Sequence, residues 1–208
     1  MRYLQSNNIN KLKALVITHY DKDHVGGADY VVNALDIEHV YVPNYESNSK
    51  QTREFLQAID NKQLVLEKIT GIRELTVGEA KGEMSPTMQT MEGDNDYSLV
   101  ISLRYGDTSF LFAGDIEAPR IAELLMDPAI RLPHTFLKVP HHGRFNGQTT
   151  ALIETVKPMY ALITSSDKNP EHDETMAALE AVKAQIFTTR KGDMEFHSDG
   201  KEITVREK

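Results

Sequence analysis

Three short apolar runs in this chain each stop at a cluster of histidine or aspartate, and that recurrence constrains the fold more than any other feature. Residues 14–18 (ALVIT) lead into His19-Tyr20-Asp21-Lys22-Asp23-His24. Phe110-Leu111-Phe112-Ala113 leads into Gly114-Asp115, and Phe136-Leu137-Lys138-Val139-Pro140 into His141-His142-Gly143. Runs of this length, rich in β-branched and aromatic residues, read as buried strands. In α/β folds, ligands gather beyond the carboxyl ends of strands. One shared site at three such ends is the economical reading. Residues 19, 21, 23 and 24 would scatter around a helix, and on a strand His24 would face away from the other three. They converge only if the chain curls as a loop, and Gly26 and Gly27 offer backbone freedom for that curl. Each cluster taken singly has a plainer reading, as a turn that caps or starts the next helix.

The chain has 208 residues, of which 40% are hydrophobic and 26% charged, with a formal net charge of −8. Those values fit one globular domain spanning 1–208. The acidic balance argues against a general polyanion-binding surface, though not against a local site for one anionic group. There is no cysteine, which excludes disulfides, thiolate zinc sites and cysteine nucleophiles. A metal must therefore be held by His, Asp or Glu, and the 19–24 segment suits zinc, manganese or iron. No apolar run approaches the ~18 residues of a bilayer span. Residues 1–10 are polar and lack a signal-peptide core. The absence of an address is compatible with the cytoplasm and equally with an extracellular domain of a longer protein.

Apolar runs alternate with amphipathic stretches, the pattern of an α/β fold. Strands are expected at 14–18, 39–42, 64–69, 98–104, 109–113, 136–139, 160–164 and 203–205. Helices are expected at 27–35, 49–59, 117–126, 148–156 and 171–183. Residues 71–93, with four glycines and Pro86, read as strands joined by turns or as a mobile flap. The 98–104 and 109–113 strands form a hairpin turning at Tyr105-Gly106-Asp107-Thr108.

His19-Tyr20-Asp21-Lys22-Asp23-His24 resembles the HxHxDH signature of the metallo-β-lactamase superfamily, in its HxDxDH form. With Gly26-Gly27 after it, the segment is similar to the hydrolase domain of ComEC-type competence (DNA-uptake) proteins. Asn95-Asp96-Tyr97-Ser98-Leu99-Val100 leading to Gly114-Asp115, and Leu137-Lys138-Val139-Pro140-His141-His142-Gly143, are similar to the same branch. The resemblance runs from about residue 12 to the C-terminus. It implies a four-layer αβ/βα sandwich with a centre of two divalent ions, zinc or manganese. It implies that His19 and Asp21 bind the first ion, Asp23 and His24 the second, and that Asp115 bridges them, so Asp23 and Asp115 stand at the catalytic centre. One of His141 and His142 would complete the second site, and the sequence leaves the choice open. The superfamily's usual histidine before the Gly-Asp motif is missing. Asn95 or Asp96 stands roughly there, and Asn95 is a candidate substrate contact. Two divalent ions, three carboxylates and a hydroxide sum to zero charge, and the extra carboxylate favours harder ions such as manganese.

Departures from the family pattern set further expectations. Few residues precede the first strand where family members place two or more strands. The chain is therefore expected to lack N-terminal strands of one sheet, with truncation or a second chain (a homo-oligomer) accounting for the open edge. Arg144 stands where the branch often has serine, either as a phosphate-binding fork or as a solvated loop residue. Asn169-Pro170-Glu171-His172-Asp173 resembles the branch's Asn…Gly-His-Pro segment. His172 is then a substrate contact or proton donor, or a surface histidine in a helix's first turn. Tyr20 and Lys22 either touch substrate or point to solvent, and no role falls to His39, His134 or His197. The expected function is metal-dependent hydrolysis of a phosphoester, nucleic-acid phosphodiesters first. Its rivals are a non-catalytic metal-binding or docking module and a choline-phosphate-type esterase.

Overall fold

In the computed structural model, residues 1–127, 130 and 132–207 are described. After a short helix α1 (Arg2–Ser6), strands β1 (Lys11–Val16), β2 (Asp36–Pro43) and β3 (Leu66–Ile69) form a parallel sheet in the order β1-β2-β3. Parallel neighbours need crossovers. The one-turn α2 (Lys22–Val25) with α3 (Ala28–Ala34) makes the first, and α4 (Lys50–Asn61) the second. Val25 of α2, Val32 of α3 and Phe55, Ala58 and Ile59 of α4 bury against Ile37, Val40 and Val42 of β2. The start of α4 is fixed by Ser49, whose Oγ accepts the Thr52 N–H at 3.1 Å.

The larger sheet holds β4 (Arg73–Val77), β5 (Ala80–Ser85), β6 (Val100–Tyr105), β7 (Thr108–Phe112), β8 (Phe136–Lys138), β9 (Tyr160–Ile163) and β10 (Gln185–Thr188). Its order is β10-β9-β8-β7-β6-β5-β4, antiparallel from β4 to β7 and parallel from β7 to β10. The parallel half is crossed by α5 (Ala118–Met126), α6 (Thr149–Val156) and α7 (Asp173–Ala181). Ile121, Leu124, Leu152, Ile153 and Leu179 of these helices pack on Leu111, Leu137, Ala161 and Ile163 of the strands. A last hairpin, β11 (Met194–Ser198) with β12 (Ile203–Glu207), sets Phe196 edge-on against Phe136 at 4.8 Å between ring centroids.

The two sheets meet through Tyr41, Ile69, Met84 and Leu99, with Ala14, Val16 and Ile101 packed beside them. The layers thus run helix, sheet, sheet, helix, the four-layer sandwich expected. Each expected strand and helix is present, with ends displaced by a few residues. The first half of 71–93 is the β4–β5 hairpin, turning at Gly78 with φ +60°. The additional elements are α1, α2, β10 and β11.

The topology places the carboxyl ends of β1, β7 and β8 together. The Leu99 N–H donates to the Thr18 carbonyl at 2.9 Å, lacing the end of β1 to the chain entering β6. His134, given no role from sequence, is a core residue at 3% exposure. Its Nδ1 donates to the Leu132 carbonyl at 2.7 Å, so its Nε2 accepts from Ser102 Oγ at 2.9 Å. Burial pushes its pKa down to about 4 from the ordinary 6.5. The folded ring therefore stays neutral where the unfolded ring is already protonated. Stability present above pH ~6.5 is lost as pH falls toward 4, by roughly 3 kcal/mol at most. Denaturant unfolding at steps between pH 7 and 4 checks this: His134→Gln should show a shallower decline than the parent by about that amount.

Candidate metal centre

Beyond β1 the chain does not remain a loop. Asp21 is extended (φ −65°, ψ 149°) and stands at the N-cap of the one-turn α2. Asp23 and His24 ride on that turn. Gly26 and Gly27 have φ of −66° and −123°, so neither needs a left-handed backbone, but a Cβ at Gly26 would lie 2.2 Å from the Lys22 carbonyl oxygen, whereas Gly27 has open space around it. Tyr20 is neither a substrate contact nor solvent-facing. It is 5% exposed, packs in the core of the smaller sheet, and donates its N–H to Tyr45 Oη at 2.7 Å. Lys22 is exposed.

At the end of β7, Gly114 turns with φ +58°, and a Cβ there would lie 2.7 Å from Ser98 Cβ. The turn delivers Asp115, whose carboxylate is almost wholly buried. At the end of β8, His141, His142 and Gly143 have φ of 45°, 54° and 78°. Three successive left-handed residues, two carrying a Cβ, cost roughly 1–2 kcal/mol for each non-glycine. The surrounding bonds hold them there. His142 Nδ1 donates to the Thr164 carbonyl at 2.6 Å, and the Arg144 N–H returns to the His141 carbonyl at 2.9 Å.

These three segments bring Asp23, His24, Asp115 and His142 together, with one ligand atom from each lying within 4.8 Å of all the others. His142 Nε2 is 3.0 Å from Asp23 Oδ2 and 3.1 Å from Asp115 Oδ2, and His24 Nε2 is 3.2 Å from Asp115 Oδ2. Despite these distances, the Nε2 atoms of His19, His24 and His142 are buried with no aligned hydrogen-bond partner. In the neutral ring of His142, Nδ1 carries the proton toward Thr164, and Nε2 then turns a lone pair toward two carboxylates. Lone pairs and carboxylate oxygens that converge on a common point, rather than on each other, are the donor set of a divalent cation. The residues present therefore fit a metal ion.

His19 lies beside this group, its ring centroid 4.1 Å from that of His24. Its Nδ1 is 3.2 Å from both Thr18 Oγ1 and Ser98 Oγ. Burial and the neighbouring His24 push its pKa down to about 4, so the ring is neutral. Asp21 lines the same cleft, its pKa raised by burial and by Asp23. Burial raises the pKa of Asp115, but the adjoining His142, His24 and Lys138 outweigh it, holding the carboxyl far below the usual range.

His141 takes a different direction from its neighbour. Its Nδ1 is 3.0 Å from Glu117 Oε1, and Asn95 Nδ2 donates to the same oxygen at 3.1 Å. Asn95 is thus engaged with Glu117 and does not line the cleft. Asp96 is buried and caps the Glu117 N–H at 2.7 Å. His172 is the N-cap residue of α7 rather than a first-turn residue. Its Nδ1 accepts the Phe145 N–H at 3.2 Å, which leaves the ring proton on Nε2 in the neutral form. Arg144 and His172 both line the cleft.

Sequence reasoning missed four supporting groups. Ser98 Oγ contacts His19 Nδ1 and accepts the Asp115 N–H at 3.1 Å. Thr164 and Glu117 orient His142 and His141. Lys138 is the fourth, with Nζ 3.1 Å from the Gly114 carbonyl and 3.3 Å from Asp115 Oδ1. Burial lowers its pKa, and Asp115 opposes that fall. Its charge was missing from the sum drawn from sequence. A polar residue in an otherwise apolar run was the available signal.

The sequence profile of the Metallo-beta-lactamase superfamily matches residues 2–163. ComE operon protein 3 of Bacillus subtilis (strain 168) is 24% identical over 192 residues, covering 92% of this chain and 25% of that protein. Recombination protein 2 of Haemophilus influenzae is 27% identical over 190 residues, covering 90% of this chain and 22% of that protein. The chain thus spans about a quarter of the length of these curated relatives. Among solved structures, Igni18, a metallo hydrolase from Ignicoccus hospitalis, aligns with a TM-score of 0.55 at 12% identity, covering 94% of this chain and 79% of its own. CmlA, a diiron beta-hydroxylase from Streptomyces venezuelae, aligns with a TM-score of 0.52 at 13% identity, covering 85% and 43%. At such identities the likeness is one of fold.

Metal titration calorimetry on single variants checks the geometry. His142→Ala should weaken zinc or manganese binding at least ~10-fold, because it removes a converging nitrogen. His141→Ala should leave that affinity within about threefold, since its ring is turned to Glu117.

Proposed function

The chain belongs to the metallo-beta-lactamase superfamily, and from that premise we propose that it is a metal-dependent hydrolase acting on phosphodiesters. The carrying observation is the convergence of Asp23, His24, Asp115 and His142, with unpartnered ring nitrogens, at the floor of an open cleft. In this reading those four residues would hold one divalent ion. His19 and Asp21 would hold a second beside Asp115, a role that the bare, buried Nε2 of His19 supports. Bound divalent ions supply Lewis-acid activation of water and of the ester oxygens. Carboxylate and imidazole donors without thiolate suit zinc or manganese.

The chain's own groups complete the chemistry. Asp115 remains ionised because His142, His24 and Lys138 surround it. Lys138 anchors the carboxylate through Oδ1 and leaves Oδ2 to face the two imidazoles. Arg144 faces the cleft as a cationic contact for phosphate oxygens. His172, which lines the cleft and carries its neutral-form proton on Nε2, would serve as hydrogen-bond or proton donor to the departing oxygen. The name Recombination protein 2, carried by a relative, makes nucleic-acid phosphodiesters the first substrates to test. A choline headgroup would meet Arg144 and Lys168 in the cleft, two cations that disfavour it.

Hydrolysis of bis-(p-nitrophenyl) phosphate with zinc or manganese tests the proposal. Asp115→Asn should keep the circular dichroism spectrum of the parent and lose at least ~100-fold in kcat/KM. A folded, metal-loaded parent inert on phosphodiesters and on p-nitrophenyl phosphocholine alike would leave the docking-module reading in its place.

A further inference from the structure

We propose that the cleft accepts a substrate with a second phosphate beside the scissile diester, and that Arg144 and Lys168 receive that phosphate; the inference rests on the phosphodiester reading above. The cleft has a volume of about 640 Å³, and its lining holds two chemically opposite sets of side chains. One set is Asp21, Asp23, Asp115 and His142, the acceptors that suit cations. The other is Arg144, Lys168 and His172, a set of donors. The further carboxylate of the lining, Glu171, has its charge paired: its side chain is 5% exposed and meets Arg190 at 2.6 Å. Among the described residues, neither Arg144 nor Lys168 forms an ion pair. In a chain of net charge −8, two uncompensated cations therefore share a cleft with the metal-binding set.

Both cations stand on fixed backbone. The Gly143 carbonyl accepts the His172 N–H at 3.1 Å, and the Phe145 N–H donates to His172 Nδ1 at 3.2 Å. Arg144 is thus flanked on both sides by bonds to one histidine. Gly143 also brings the two loops into contact, since a Cβ there would lie 2.8 Å from Glu171 Cβ. Lys168 sits in a closed turn, in which the Ser166 N–H donates to the Asn169 carbonyl at 3.2 Å and the Asn169 N–H to the Ser166 carbonyl at 3.1 Å. Charge then selects the ligand. Lys138 already brings one positive charge to Asp115, and Arg144 and Lys168 add two more. A lone diester brings one negative charge, whereas a nucleotide with a flanking phosphate brings two or three. Arg144 supplies a planar fork for that phosphate and Lys168 a point charge.

The test compares thymidine 5′-(p-nitrophenyl phosphate) with and without a 3′-phosphate. The parent should prefer the 3′-phosphorylated ester by about tenfold in kcat/KM, chiefly through KM. In Arg144→Met/Lys168→Met the ratio should collapse toward one, while Lys50→Met on α4 keeps the parent's ratio. A preference that survives the double variant overturns the inference. A parent that turns over neither ester removes the hydrolase reading, and binding then decides. Anisotropy of fluorescein-labelled oligothymidylate at several salt concentrations should show a log–log slope shallower by about 1.4 in the double variant, ~0.7 for each lost phosphate contact. An unchanged slope and affinity overturn the inference.

Discussion

An ionised carboxylate shut away from water has to be surrounded by positive charge or by proton donors, and Asp115 sets that requirement for this molecule. Two imidazoles approach one of its oxygens and a buried ammonium the other. Those three groups come from two separate parts of the chain, the turn after β1 and the end of β8. The parallel pairing of β7 with β8 puts Lys138 opposite Phe112, three residues before the carboxylate it anchors. The bond from Leu99 to Thr18 brings the end of β1 alongside. Removing any of these supports would leave a buried charge short of compensation, so the arrangement of both sheets is bound up with one side chain.

The same logic accounts for the strained turn after β8. Left-handed residues that carry a Cβ persist only where surrounding contacts over-determine them. Here the turn separates two adjacent histidines by function. One ring is sent to Thr164 on the far side and presents its other nitrogen to the carboxylates. The other, His141, is sent to Glu117. A regular strand would also send neighbouring side chains to opposite faces, but it would continue past the site rather than close it.

Much of this was legible in the residues. Apolar runs ending in His and Asp located the three converging strand ends, and the alternation of runs and amphipathic stretches gave the layered α/β architecture. The remainder was hidden for physical reasons. The one-turn α2 is too short for any periodicity to show. The choice between His141 and His142 depends on the sign of φ and on a carbonyl contributed by Thr164, neither of which has a local signature. Lys138 reads as an ordinary polar residue within a strand until β7 pairs beside it. Asn95 looked available to substrate because Glu117, its partner, is far from it in sequence.

Ser98 is a small group with a large reach. Its hydroxyl meets both the ring of His19 and the main-chain N–H of residue 115. A hydroxyl oxygen has two lone pairs and a single proton. If the imidazole is to turn a bare nitrogen inward, this oxygen or that of Thr18 must accept the ring's N–H, and where Ser98 does so both of its lone pairs are taken. The tautomer on one sheet and the peptide orientation on the other are therefore two readings of one rotor, and whatever sets its angle sets both.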